Sequence, residues 1–136
     1  MRGGSWIRAA LSRQRGEFAT MTPPRIESYQ FGEIVIDGQR YTRDVIITPD
    51  RVQTNWWREE GHNLVMADLE DVLGEPPAVL VVGQGAHGRM VVPEETRREL
   101  EAMGIEVIVQ PSDDACQSYN RLREQSVTVA ALHLTC

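Results

Sequence analysis

The segment Val79-Leu80-Val81-Val82-Gly83-Gln84-Gly85-Ala86-His87-Gly88 decides the fold of this chain. With the preceding Ala78, its first four residues form a continuous apolar run, which is typical of a β-strand buried on both faces. Its last six residues match the pattern G-x-G-x-x-G of dinucleotide-binding proteins. Two questions follow: which sheet surrounds this strand, and whether the turn after it binds NAD or FAD.

The residues after this strand predict alternating helices and strands. A helix is expected from Pro93 to Gly104, because proline at its first position, acids in its first turn and a terminal glycine all favour one. Residues 105–109 are typical of the next strand. Ser112 is predicted to cap a helix over residues 113–125, and residues 127–134 form a last strand. The second half of the chain therefore predicts a β-α-β-α-β order around a largely buried sheet.

We expect the glycine turn not to bind NAD or FAD, because the helix after it begins too late. In a dinucleotide site the third glycine opens the helix whose N-terminus meets the pyrophosphate. Here Gly88 is followed by the extended segment 89–92, and the helix starts only at Pro93. The second strand of such a site ends in an acid for the ribose, whereas this one continues into Gln110-Pro111. The glycines instead predict a tight turn, and no cofactor is expected.

The residues before the central strand predict an antiparallel β-meander. Asp37-Gly38 between two strand-like runs favours a two-residue hairpin, since a type I′ turn needs two positive φ angles. The predicted strands are 26–31, 33–36, 39–41, 45–48 and 52–57. A short helix is expected over residues 67–73, stopped by Gly74 and Pro76. Together these elements predict an α/β fold: one compact domain with a mixed central sheet flanked by helices, and a small additional antiparallel layer from the meander.

Charge divides the chain into two parts. Residues 1–21 carry four arginines and one glutamate, whereas residues 22–136 carry ten arginines and 19 acids. An acidic domain repels phosphate backbones, so nucleic acid is not an expected partner. No run of about 18 apolar residues is present, so no membrane span is predicted. The domain is assigned to residues 22–136.

Residues 1–21 form a basic extension with two interpretations. Met21 could be the true first residue, the preceding residues being an upstream-start artefact or a disordered tail. Alternatively, the arginine-rich, acid-poor segment is a mitochondrial-type presequence. The expected location is cytoplasmic under the first interpretation and mitochondrial under the second. Cys116 and Cys136 are too few for a disulfide scaffold and are interpreted as free thiols of a reducing compartment, with one bond between them as the alternative.

Several short motifs carry a family resemblance. They are Phe31 to Gly38, Tyr41 with Asp44-Val45, Trp57-Arg58, His62, Val82 to Gly85, Tyr119-Asn120 and Val129 to Cys136. In this order and spacing they resemble the Mth-nine-three-eight-like domain. The resemblance implies a compact α/β fold with a mixed sheet. The family includes archaeal and bacterial proteins without an assigned activity, an adipogenesis-associated protein and an assembly factor of respiratory complex I. The family has no established catalytic residues, so the resemblance implies none for this chain.

One hypothesis places a small-ligand site or an enzyme beside the glycine turn. Ligands of open α/β sheets lie beyond the carboxyl ends of parallel strands. Such a crevice would bring together Gly83, Gly85, His87, Ser112 and Cys116. Cys116 falls in the first helical turn, where the helix dipole lowers a thiol pKa, and His87 or His133 would serve as its base. The alternative interpretation is an ordinary capped helix with a buried cysteine.

A second hypothesis makes the chain a non-enzymatic interaction or assembly protein with an unknown protein partner, and leaves self-association open. Neighbouring residues of a strand point to opposite faces, so one ring of Trp56-Trp57 should be buried and the other exposed. The exposed ring and Arg58 would form the interaction surface. Alternatively, the loop over residues 59–63 would cover the outward ring. The three histidines and two cysteines lack metal-ligand spacing, so no metal site is expected.

Overall fold

The computed structural model describes residues 22–136. Their strands are β1 (Ile26–Gln30), β2 (Glu33–Ile36), β3 (Gln39–Tyr41), β4 (Val45–Thr48), β5 (Arg51–Thr54), β6 (Val79–Gln84), β7 (Glu106–Gln110) and β8 (Thr128–His133). Their helices are a 3₁₀ helix (Met66–Val72), α1 (Glu94–Ala102) and α2 (Ser112–Leu122). The β-α-β-α-β order predicted for the second half is confirmed.

The first three strands form a small antiparallel sheet in the order β1-β2-β3. The predicted hairpin between β2 and β3 is confirmed, because Asp37 and Gly38 have φ angles of 48° and 81°. Only glycine, asparagine and aspartate enter this left-handed region readily, which explains the Asp-Gly pair. The meander is smaller than expected, since β4 and β5 leave it and join the main sheet.

The main sheet has five strands in the order β5-β4-β8-β6-β7. Strand β6 runs parallel to both of its neighbours, β7 and β8, whereas β4 is antiparallel to β8 and β5. The mixed sheet is therefore confirmed. The last strand enters between β4 and β6, so the connection through α2 crosses β6 and brings the end of the chain into the centre of the fold.

Strand β6 supplies side chains to two separate cores, as its continuous apolar run requires. Val79 and Val81 pack on one face, with α2 and the small sheet. Leu80 and Val82 pack on the other face, with α1 and the 3₁₀ helix. Each helix thus covers one face, and the four β6 side chains are at most 4% exposed.

Helix α2 attaches the small sheet to the main sheet through two adjacent residues. The Tyr119 hydroxyl donates to the carbonyl of Pro24 over 2.6 Å. The Asn120 side-chain amide donates to the Ile26 carbonyl over 2.7 Å and accepts the Ile26 N–H over 3.0 Å. These bonds satisfy the Pro24 carbonyl and both backbone groups of Ile26, and they hold the start of β1 on α2.

Two elements differ from the sequence expectation. The helix predicted over 67–73 is a 3₁₀ helix, whose buried residues Leu69 and Val72 are three positions apart, as three residues per turn require. Strand β5 ends at Thr54 instead of reaching Trp57, because Asn55 has a positive φ of 59° and turns the chain away from β4.

Candidate functional site

The glycine turn after β6 is packed against the end of the chain. Gly85 has a φ of +92°, and a β-carbon there would lie 2.6 Å from the carbonyl oxygen of Thr135. At Gly83 a β-carbon would lie 2.7 Å from Ser112 Oγ and 2.8 Å from a methyl of Leu132. The glycines therefore allow close backbone packing, and this space is occupied by protein.

Ser112 joins three elements at this point. Its hydroxyl accepts the Gly85 N–H over 2.9 Å and donates to the carbonyl of His133. The expectation that Ser112 caps α2 is wrong: the residue before the helix is Pro111, and Ser112 is its first residue. Its buried hydroxyl lies between the ends of β6 and β8 and connects them through these two hydrogen bonds.

Replacing Gly83 by alanine is expected to lower the free energy of unfolding by about 1–3 kcal/mol, the usual cost of inserting a methyl group into a packed core. The new β-carbon would displace Ser112 Oγ and Leu132. Chemical denaturation measures the change. Gly74→Ala is the control, because a β-carbon there meets nothing within 4 Å. Equal stability of Gly83→Ala and the unmodified protein would contradict the packing argument.

The geometry does not bring together the thiol and the histidines of the first hypothesis. Cys116 packs in the core between the main sheet and α2. His133 Nδ1 contacts both Asp44 and Arg58 at the end of β8, on the face opposite to that of the neighbouring core residue Leu132. His87 is exposed, with its ring centroid 6.2 Å from that of Phe31.

The Cys116 thiol is also not activated. The helix dipole was expected to lower its pKa, but burial, together with the negative charge of Asp113, raises that pKa to about 12. The raised pKa keeps this core thiol neutral at physiological pH, which disfavours nucleophilic attack.

Alkylation should distinguish the two cysteines. At pH 8 we expect iodoacetamide to modify Cys136, which is partly exposed, and to spare Cys116, which is buried and protonated. Intact-mass spectrometry would show one adduct on the folded protein and two in urea. Modification of both thiols at the same rate in the folded protein would contradict the raised pKa.

The segment Trp56-Trp57-Arg58 alternates between the interior and the surface. Trp56 is buried and donates its indole N–H to the Asp68 carbonyl over 2.9 Å. Trp57 is 82% exposed, so the loop over 59–63 does not cover it. The expectation of one buried and one exposed ring is confirmed.

The position expected for Arg58 is wrong, because its guanidinium is buried instead of lying beside Trp57. The guanidinium carbon lies 4.7 Å from the Trp56 ring centroid, which gives a cation–π contact. The guanidinium Nε donates to the Gly61 carbonyl over 2.8 Å. Side chains of an extended segment alternate between its two faces, which places Arg58 on the same side as Trp56. The burial of Arg58 could therefore have been predicted from the sequence.

Arg58 belongs to a buried ion-pair cluster with Asp44 and His133. Arg58 Nη1 lies 2.9 Å from Asp44 Oδ2. His133 Nδ1 lies 2.8 Å from the same carboxylate oxygen and 3.1 Å from Arg58 Nη2. The shorter contact and the negative charge of Asp44 favour the tautomer in which Nδ1–H donates to Asp44. The other oxygen of Asp44 accepts the Leu134 N–H over 2.8 Å.

This cluster stabilises ionised Asp44. Burial alone would raise the pKa of Asp44, but the hydrogen bonds from His133 and Leu134 and the nearby Arg58 charge outweigh burial and lower that pKa. His133 Nε2 is buried and has no hydrogen-bond partner among residues 22–136. The cluster joins the residue before β4, the end of β8 and Arg58, the residue that follows the exposed Trp57.

Beside Trp57 lies a surface depression of about 240 Å³. Its lining residues are Gln53, Asn55, Trp56, Trp57, Ala67, Asp68, Glu70 and Asp71. The Asp68 carboxylate accepts the backbone N–H groups of Glu59 and Val65 over 3.1 and 3.0 Å, which fixes the 3₁₀ helix against the Trp57 segment. The depression is therefore lined by the exposed Trp57 ring and by backbone that Asp68 holds in place, with the acids Glu70 and Asp71 at its rim.

The fold is that of a small α/β domain with a mixed sheet, one α-helix on each face and a β-meander on one side. The family model described as "Protein of unknown function (DUF498/DUF598)" matches residues 26–134. The chain belongs to this family. The resemblance to the Mth-nine-three-eight-like domain is confirmed, since a matching solved structure carries the name Mth938-like domain.

Solved structures share the fold. A conserved hypothetical protein of Pyrococcus horikoshii is 30% identical, with a TM-score of 0.75 over 82% of this chain and 99% of its own. A Bordetella parapertussis protein is 26% identical, with a TM-score of 0.72 over 85% and 98% of the two chains. A Bordetella pertussis protein described as a Mth938-like domain is 22% identical, with a TM-score of 0.64 over 90% and 92%. At that identity the last match supports the fold alone.

Residues 22–136 lack both a membrane-spanning helix and a metal-binding cluster. Residues 22–136 contain no helix long and apolar enough to cross a bilayer. The same residues contain no group of three or more histidine, cysteine, aspartate or glutamate side chains arranged to hold a metal ion.

Proposed function

We propose that this protein is a non-enzymatic interaction protein that binds a protein partner through the surface around Trp57. The observation that carries the proposal is the 82% exposure of this indole on a chain whose other described tryptophan is buried. Tryptophan is enriched among the residues that dominate binding energy at interfaces. Participation in the assembly of a larger complex, such as a respiratory complex, is the specific form of this function that the family resemblance suggests.

Rigidity of the Trp57 segment supports the proposal. Trp56 and Arg58 on either side are both buried, and the Arg58 guanidinium contacts Asp44, His133 and the Gly61 carbonyl. An exposed ring held by two buried neighbours loses little conformational freedom on binding, which favours affinity. The buried, protonated Cys116 also argues against the rival thiol enzyme.

Affinity capture with tagged protein tests the proposal. The unmodified protein should retain one or more partners from an extract of its source organism, and Trp57→Ala should lose them while keeping its melting temperature. Phe31→Ala is the matched control, because Phe31 is another exposed aromatic, 59% accessible, at the turn between β1 and β2. Undiminished capture by Trp57→Ala would refute the proposal.

A further inference from the structure

We infer that the partner presents an extended cationic segment to the depression beside Trp57, with an arginine or lysine stacked on the exposed indole. This inference rests on the proposed function and names the chemistry of its partner. It is carried by three features that meet at one place: the exposed ring, the uncompensated acids of the rim and the free edge of β5.

The rim carries negative charge that the described protein does not neutralise. Segment 59–75 contains six acids and no arginine or lysine. Glu70 and Asp71 are exposed, line the depression and form no ion pair within residues 22–136. The cation closest in sequence, Arg58, is buried and paired with Asp44. A partner that binds here must therefore supply positive charge.

The indole suits a cation as well. A guanidinium or ammonium group over an indole face is attracted by the negative face of the ring. This protein already uses the contact internally, where Arg58 lies 4.7 Å from the Trp56 ring centroid. Trp57 offers the same chemistry outward, beside carboxylates that add to the attraction.

The strand next to the depression can accept a further strand. In the described sheet β5 is an edge strand, paired with β4 alone, and its residue Gln53 lines the depression. An edge strand has a row of backbone N–H and C=O groups without strand partners. An extended segment can pair with such an edge and place alternate side chains on one side, toward Trp57 and the rim.

A calorimetric titration with a defined peptide tests the inference. The probe is a peptide of roughly ten residues with alternating arginine and valine, and the comparison is its glutamate-valine counterpart. We expect binding of the arginine peptide alone. Trp57→Ala should weaken that binding about tenfold or more, as for an interface hot spot. The double variant Glu70→Arg/Asp71→Arg should weaken it about tenfold, and so should raising NaCl from about 0.05 to about 0.5 M.

The matched control is Glu99→Arg/Glu106→Arg, which changes the net charge equally at two exposed acids that do not line the depression. It should weaken binding less than twofold. Equal binding of both peptides, or an equal effect of the two double variants, would overturn the inference. If partner capture requires Trp57 but is unaffected by Glu70→Arg/Asp71→Arg, the proposed function stands and the cationic partner is wrong. If Trp57→Ala alters neither capture nor peptide binding, both fail.

Discussion

Replacing Trp56 by alanine is expected to lower the free energy of unfolding by about 3–5 kcal/mol, as for other large core aromatics. Its ring is 6% exposed, packs with Leu64 and Leu69 and lies under the Arg58 guanidinium. The substitution would also leave the Asp68 carbonyl without its indole donor. Urea denaturation followed by circular dichroism measures the loss.

The adjacent residue supplies the control. Trp57→Ala removes a side chain of the same size, but one that is 82% exposed, so its free energy of unfolding should change by less than about 0.5 kcal/mol. The pair therefore separates the two roles within one dipeptide. If both variants lose stability equally, Trp57 is a packing residue and the binding surface proposed around it is wrong.

The parts of the fold predicted from the sequence are those that local rules determine. Asp37-Gly38 favours a two-residue hairpin with two positive φ angles, and the apolar run ending at Val82 favours a strand covered on both faces. Both expectations are confirmed. The split into one buried and one exposed tryptophan followed from side-chain alternation, although the strand itself ends at Thr54.

The parts that sequence reasoning missed depend on contacts between distant residues. Arg58 is buried because its guanidinium pairs with Asp44 and contacts His133, which lies 75 positions away in sequence. Ser112 hydrogen-bonds the end of β8 instead of capping α2, because β8, the last of the described strands in sequence, brings the His133 carbonyl next to it. The predicted crevice is absent at Gly83 for the same reason: Leu132 of β8 fills that space. No local pattern reports which strand enters the middle of a sheet.

Breaking the buried ion pair should have the other large effect. Arg58→Met is expected to lower the free energy of unfolding by about 3 kcal/mol, because it leaves the largely buried Asp44 carboxylate, 16% exposed, without its guanidinium. Arg98→Met is the control, since the Arg98–Glu94 pair is solvent-exposed, and it should cost less than about 1 kcal/mol. Similar losses in the two variants would contradict the proposed role of the cluster.

The pH dependence of stability provides a separate readout of the cluster. The pKa of Asp44 is lower in the folded protein than its ordinary value of 3.8, so the unfolded chain binds this proton more readily. The stabilisation by ionised Asp44 is therefore complete above about pH 5 and is lost as the pH falls below about 4, through the folded pKa. Asp44→Asn should lose stability at neutral pH, and its stability should fall less steeply between about pH 4 and 2 than that of the unmodified protein.

Because Asp44 and Arg58 are in contact, the double variant Asp44→Asn/Arg58→Met should cost less than the sum of the two single changes. Additive losses with parallel pH profiles would mean that the two side chains stabilise the fold independently, and the exposed Trp57 would then lack the anchor assigned to it.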